Sequence, residues 1–259
     1  MRKVLIAFLP FFSFISFAQD VKKTEQDLVL HFKKIDYWST YKGNDARINS
    51  IDSLQKANEI FQQKLMEYTS KQPATLTYDF RALKKEAITI ATSTDKKFRI
   101  YSWDTKAGGT MHFFKNVYQY QAGSKVFSKS SKTEEGDSGG WFSEIFNLNG
   151  NGKHIYMGYF NAIYSTSDAY QAIKFFTITN NELVDNPPLI KTKSGMNHEL
   201  GFGFNFFSVA NRKERPVKLI YFDSAQKTIK IPVVNAKSEV TKKIIIYKFS
   251  GKYFEYQGK

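Results

Sequence analysis

The chain has no cysteine in its 259 residues. That excludes a disulfide framework, a thiolate zinc site and a lipid anchor on a cysteine. Histidine is scarce: there are four, and no two have the spacing of metal ligands on a helix. No Asp-x-Asp-x-Asp-Gly loop is present for calcium, although Glu134, Glu135 and Asp137 put carboxylates close together. Gly201-x-Gly203 lacks the third glycine and the helix of a dinucleotide loop. No metal and no cofactor is expected. Arginine is also sparse. Six of the 38 basic residues are Arg, and the lysines stand singly or in pairs such as Lys22-Lys23, Lys84-Lys85 and Lys242-Lys243. A nucleic-acid surface clusters its cations and favours Arg, so nucleic acid is not the expected partner.

What is present begins with an address. Met1-Arg2-Lys3 is a short positive stretch, Val4 to Phe17 is almost wholly apolar, and Ser16-Phe17-Ala18 suits signal peptidase. The sequence predicts a signal peptide over 1–18, cleavage after Ala18 and a secreted or periplasmic protein. The run is short for a membrane span and Pro10 interrupts it; no later segment could span as a helix. Hydrophobic content of 42% and aromatic content of 16% suffice for a core without disulfides. The formal charge of +14 reads first as a solvated basic surface; the functional alternative is attraction to an anionic partner, such as an envelope component, an acidic polysaccharide or a peptide.

The periodicity divides the remainder into a helical segment over 19–73 and an antiparallel β domain over 74–259. In the first, Leu28, Phe32 and Ile35 fall on one helical face. A loop at Lys42-Gly43-Asn44-Asp45 leads to a second helix, capped by Asp52 with Gln55 and striped by Leu54, Ala57, Phe61, Leu65 and Tyr68. Pro73 ends it. From Ala74 the period changes to two. Six hairpin turns are readable: Asp95-Lys96, Ala122-Gly123-Ser124, Asn149 to Gly152, Asn180-Asn181, Ser224 to Gln226, and Ser250-Gly251. A further strand is expected from Phe202 to Val209. Several strands are aromatic on both faces, so the sheets should be covered on both sides. The expected fold is mainly β (α+β): an amphipathic helix pair packed on hairpin-rich antiparallel sheets, arranged as a curled sheet, a sandwich or a propeller-like array. STDKKFRIYSWD resembles the end of a propeller repeat, but no such string recurs at a fixed spacing.

One face of the Phe98–Asp104 strand carries Arg99, Tyr101 and Trp103, and His112 follows on the next stretch. Tyr and Trp stack on sugars or peptides at little entropic cost, so these four residues are the candidate ligand surface. The alternative is that this face is core beneath the helices. The string Gly136-Asp137-Ser138-Gly139-Gly140 resembles the nucleophile motif of trypsin-like serine proteases. The match covers five residues. The histidine lacks its family setting, and two helices leave too little chain for the first barrel. The string reads instead as a Gly-rich loop between strands, and no catalytic residue is expected there.

A signal ending in F-A-Q, the run R-I-Y-S-W-D-T before G-G-T-M-H, and the closing K-I-I-I-Y-K-F-S-G-K-Y-F together resemble uncharacterised secreted proteins of Gram-negative bacteria. The resemblance implies an envelope or extracellular address and carries over no active-site residues. The leading expectation is a non-catalytic binding or structural protein of the envelope or exterior. The alternative is a secreted hydrolase assembled from dispersed residues such as Asp104, His112, Asp137 and Ser138. That reading requires at least two of these side chains within hydrogen-bond reach in one cleft.

Overall fold

A computed structural model describes residues 13–43, 49–132, 136–150 and 152–258. The N-terminal part of the predicted signal, Asn44 and Asp45 of the helix–helix loop, Glu134, Glu135 and Asn151 lie outside these. Helix α1 (Ser13–Ser39) runs through the predicted cleavage point. It enters the core with Val21, Leu28, Phe32 and Ile35, all beyond that point. Helix α2 (Ser50–Lys71) contributes Leu54, Ala57, Phe61 and Leu65 to the same core. Its cap differs from the expected one. Asn49, not Asp52, accepts the amides of Ile51 and Asp52, because the helix starts three residues earlier than a cap at Asp52 implies. Pro73 ends α2 as expected, but it opens a 3₁₀ turn over Pro73–Leu76, and a one-turn helix α3 (Arg81–Lys85) follows. The β region therefore begins at Thr89 and not at Ala74. Among the described residues no helix is long and apolar enough to cross a membrane.

The first sheet is a four-stranded meander of β1 (Thr89–Thr92), β2 (Phe98–Asp104), β3 (Phe114–Ala122) and β4 (Lys125–Ser130). The second begins with β5 (Trp141–Gly150), β6 (Lys153–Ile163), β7 (Asp168–Thr179) and β8 (Glu182–Asp185). Short strands β9 (Ile190–Thr192) and β10 (Gly195–Asn197) leave for a third sheet before β11 (Glu199–Asn205) returns to pair with β7. The expected strand from Phe202 thus starts earlier, and Phe206–Val209 is a 3₁₀ turn. The third sheet is completed by β12 (Tyr221–Asp223), β13 (Thr228–Val234), β14 (Val240–Phe249) and β15 (Phe254–Gly258). All six hairpin turns lie between paired strands. Lys96, Asn180 and Asn181 adopt the positive φ that such turns require.

These elements stack in four layers: helix pair, first sheet, second sheet, third sheet. Among the described residues none of the sheets closes into a barrel. Tyr101, Trp103 and Val117 face the helices. Phe98, Ile100, Tyr118 and Tyr120, on the opposite face, pack on Phe142, Tyr156, Phe160 and Phe176 of the second sheet. The other face of that sheet carries Ile155, Met157, Ile173 and Phe175 against Ile229, Ile231, Phe249 and Phe254 of the third. Strands buried on both faces have no use for polar alternation, which accounts for their two-sided aromatic content.

Candidate functional site

The structure divides the expected ligand surface. Trp103 and Tyr101 are wholly buried beneath the helix pair, and Arg99 is 5% exposed. The Arg99 guanidinium donates to Thr75 O at 2.7 Å, Tyr78 O at 2.6 Å and Thr92 Oγ1 at 2.7 Å. It pins the segment that follows α2 onto the first sheet. The Tyr101 hydroxyl lies 3.1 Å from Thr75 O and 3.0 Å from Gln119 Oε1, and burial pushes the phenol up to about 12. The correction is physical: α1 and α2 need an apolar floor, and this strand face supplies it. An open platform for a ligand is not available there.

His112 alone of the four reaches open space. It follows the Gly108-Gly109 loop, where its backbone N–H donates to Ile163 O at 3.1 Å. Its Nδ1 lies 2.6 Å from Asp104 Oδ2. Asp104 thus orients the ring, and Lys106 N–H donates to the other carboxylate oxygen at 2.8 Å. The imidazole stacks on Phe114, and Phe114 in turn packs on Trp141 with centroids 4.9 Å apart. Among the described residues no side chain hydrogen-bonds His112 Nε2.

His112 stands at one wall of a cleft of about 630 Å³. Trp141 from β5, Tyr170 from β7, Phe204 from β11 and Phe206 from the following 3₁₀ turn supply aromatic walls, and Arg215 closes one side over the Phe206 ring. At the floor, Gln171 and Asn161 are occupied with each other and with their surroundings. Gln171 Nε2 donates to Asn161 Oδ1 at 3.0 Å and to Val217 O, and Gln171 Oε1 accepts from Tyr159. The Tyr170 hydroxyl donates to Glu199 Oε1 at 2.5 Å; burial first, and then that bond, raise its pKa well above the ordinary phenol value. The Arg215 guanidinium donates to the carbonyls of Ala210, Arg212 and Glu214. The cleft therefore presents apolar surface with few uncommitted polar groups. Sequence reasoning missed Trp141, Tyr170 and Phe206, because they come from two separate strands and a turn.

The Gly136 to Gly140 string is the crossover from the first sheet to the second. Asp137 Oδ1 accepts the Gly139 amide at 2.8 Å, and Ser138 O accepts Phe114 N–H at 2.8 Å. Gly139 has φ +64°, and a Cβ there would lie 2.7 Å from Phe114 O. At Gly140 it would lie 2.1 Å from Asn161 O. The glycines are there for a tight passage between sheets. Ser138 is 4% exposed, and its Oγ reaches only Gly139 O at 3.4 Å. Of the four residues considered for hydrolysis, Asp104 and His112 form a pair, and Asp137 and Ser138 line other clefts. Among the described residues no three His, Asp or Glu side chains gather as a metal site. The chain matches no protein-family model and no curated protein.

Proposed function

We propose that this is an exported, non-catalytic binding protein of the cell envelope or exterior, and that its ligand enters the aromatic cleft beside His112. The observation that carries this reading is the chemistry of the cleft. Four aromatic side chains form its walls, and the polar groups at its floor are already satisfied by the protein. Such a site favours an apolar body, such as an aromatic or aliphatic side chain of a peptide, over a free sugar that needs many hydrogen bonds. His112 Nε2 at the mouth supplies one polar contact. The address rests on the N-terminal signal pattern and on the resemblance to secreted proteins of Gram-negative bacteria. The test is titration with the apolar fluorophore 1-anilinonaphthalene-8-sulfonate. Saturable binding that is lost in Ala169→Phe, which fills the cleft, supports the reading. Binding that Ala169→Phe leaves unchanged, with the fold intact by circular dichroism, counts against it.

The Asp104–His112 pair favours a second reading. A histidine oriented by a carboxylate at a cleft mouth is equipped to take a proton from water, as a secreted hydrolase requires. Turnover of p-nitrophenyl butyrate above the rate of free imidazole, abolished by His112→Ala, would select this reading over simple binding.

A further inference from the structure

A second cleft, of about 490 Å³, lies between the first and second sheets and shares no lining residue with the first. Its character is the opposite. Lys129 from β4, Lys132 just beyond it and Lys174 from β7 line it, as do Asp137 and Asp185. Lys174 is already engaged, 3.2 Å from Glu199 and 4.0 Å above the Phe160 ring centroid. Of the other four charges, Lys129 donates to Leu183 O at 3.5 Å and Asp137 accepts the Gly139 amide at 2.8 Å, but none is in an ion pair. Among the described residues neither Lys129 nor Lys132 pairs with a carboxylate, and neither Asp137 nor Asp185 pairs with a cation. Two positive and two negative groups thus line one cleft with no ion pair among them.

A further polar group points the same way. Tyr118 is only 4% exposed, its ring is packed among Phe98, Phe142 and Phe176, and it lines this cleft. Its hydroxyl makes no hydrogen bond among the described residues and is not itself fully buried, so the ring is packed while the oxygen is open to a cleft partner. Asn186 lines the cleft as well, and its buried Oδ1 has no partner either. Asp185 is exposed as a whole residue, yet desolvation still raises its carboxyl above the ordinary value, against the pull of Lys174, Lys129 and Lys132. Burial, with Asp185 and Asp137 nearby, holds the Tyr118 phenol far above its ordinary value, so at neutral pH it is a donor.

We propose that this cleft is a second binding site, made for a small zwitterion: a free α-amino acid. Its carboxylate would take Lys129, Lys132 and the Tyr118 hydroxyl. Its ammonium would take Asp185 and Asp137. Phe114, Phe160 and Leu183 on the same lining offer apolar contact for a side chain. An anion alone satisfies only half of this arrangement and meets two carboxylates; a cation alone meets the lysines.

Isothermal titration calorimetry with each of the standard amino acids tests the proposal, with acetate and ethylamine as single-charge controls. Saturable binding of at least one amino acid is expected, with none of the controls. Lys129→Met, Asp185→Asn and Tyr118→Phe should each weaken it about tenfold or more, the worth of one charge-assisted hydrogen bond. The N-acetylated and amidated forms of that amino acid should fail to bind. Tyr118→Phe keeps the ring, so its fold is checked by an unchanged thermal transition. No binding by any amino acid at millimolar concentration would overturn the proposal. So would acetate or phosphate binding that Asp185→Asn tightens, which would mark a plain anion site. The aromatic cleft is tested separately, because Ala169→Phe should leave amino-acid binding unchanged.

Discussion

The indole Nε1 of Trp103 donates to Asn58 Oδ1 at 3.0 Å, joining the first sheet to α2. Asn58 Nδ2 donates in turn to Leu54 O at 3.0 Å and to Thr105 O at 2.9 Å. Both side chains are buried, Trp103 wholly and Asn58 at 3% exposure. An asparagine in the apolar stripe of a helix is thus the group that satisfies a buried indole and a strand-end carbonyl. Asn58→Leu should leave both without partners and cost about 1–3 kcal/mol, the penalty for orphaned buried polar groups. Urea unfolding measures it. A neutral substitution would mean that water reaches this seam. Trp103→Phe, for its part, should not reduce the fraction of tryptophan emission that iodide quenches, because the ring is shielded.

A second link between elements depends on pH. Asp27 Oδ2 on α1 accepts from Lys64 Nζ at 2.8 Å and from Tyr68 Oη at 2.7 Å, both on α2, and His31 Nε2 lies 3.6 Å from Oδ1. Burial pushes the Asp27 carboxyl up, but the bonds from Lys64 and Tyr68 outweigh it and hold the pKa below its ordinary value. A carboxyl depressed in the folded state adds stability that is complete above its unfolded value, about 3.9, and is lost as pH falls through the lower folded value. The parent should therefore lose more stability between pH 6 and pH 3 than Asp27→Asn does, by less than about 1 kcal/mol because the pair is partly exposed. Parallel urea midpoints across that range would contradict the assignment.

Ser138 carries the opposite prediction. No histidine bonds to it, and its hydroxyl reaches only its neighbour's carbonyl at 3.4 Å. Ser138→Ala should change stability by no more than about 0.5 kcal/mol. A fluorophosphonate probe should leave no adduct detectable by mass spectrometry. Gly140→Ala, in the same string, should be far more damaging, since its Cβ would press on Asn161 O. An adduct on Ser138 would reopen hydrolysis at this loop.

The hairpins were legible because turn chemistry is local: Lys96, Asn180 and Asn181 sit at positive φ where the turns were expected. The helix pair was legible from the stripe of Leu54, Phe61 and Leu65. Alternation also showed that Phe98 and Tyr101 face opposite ways, but a strand does not state what covers each face. Which sheet stacks on which is decided by non-local packing, so Arg99, Tyr101 and Trp103 suited a ligand surface as well as they suit a core. The short strands β9 and β10 carry too few residues for a period, and β9 pairs in parallel with the distant β15. The aromatic cleft escaped notice for the same reason, since its walls come from Trp141, Tyr170 and Phe206.

The aromatic packing on the inner face of the second sheet can be tested at one glycine. Gly158 lies in the middle of β6, paired with Ile145 and Lys174. Its backbone needs no unusual φ; what it needs is space. A Cβ there would stand 2.6 Å from Phe142 Cδ1 and 3.2 Å from Phe176 Cε2, in the aromatic layer between the sheets. Phe142 is 1% exposed and meets Phe176 edge-on with centroids 5.6 Å apart, so its ring has little room to retreat. Gly158→Ala should therefore destabilise by about 1–3 kcal/mol, as overpacked cores do. It should do so even though alanine is intrinsically better than glycine in a strand by about 0.5–1 kcal/mol. Phe142→Leu removes the clashing edge. In that background the same Gly158→Ala change should be neutral or mildly stabilising. The two substitutions should therefore couple by about 1 kcal/mol or more in a double-mutant cycle followed by urea unfolding. Strict additivity would mean that Phe142 does not lie over Gly158, and the packing of the β5 aromatics across β6 would have to be redrawn.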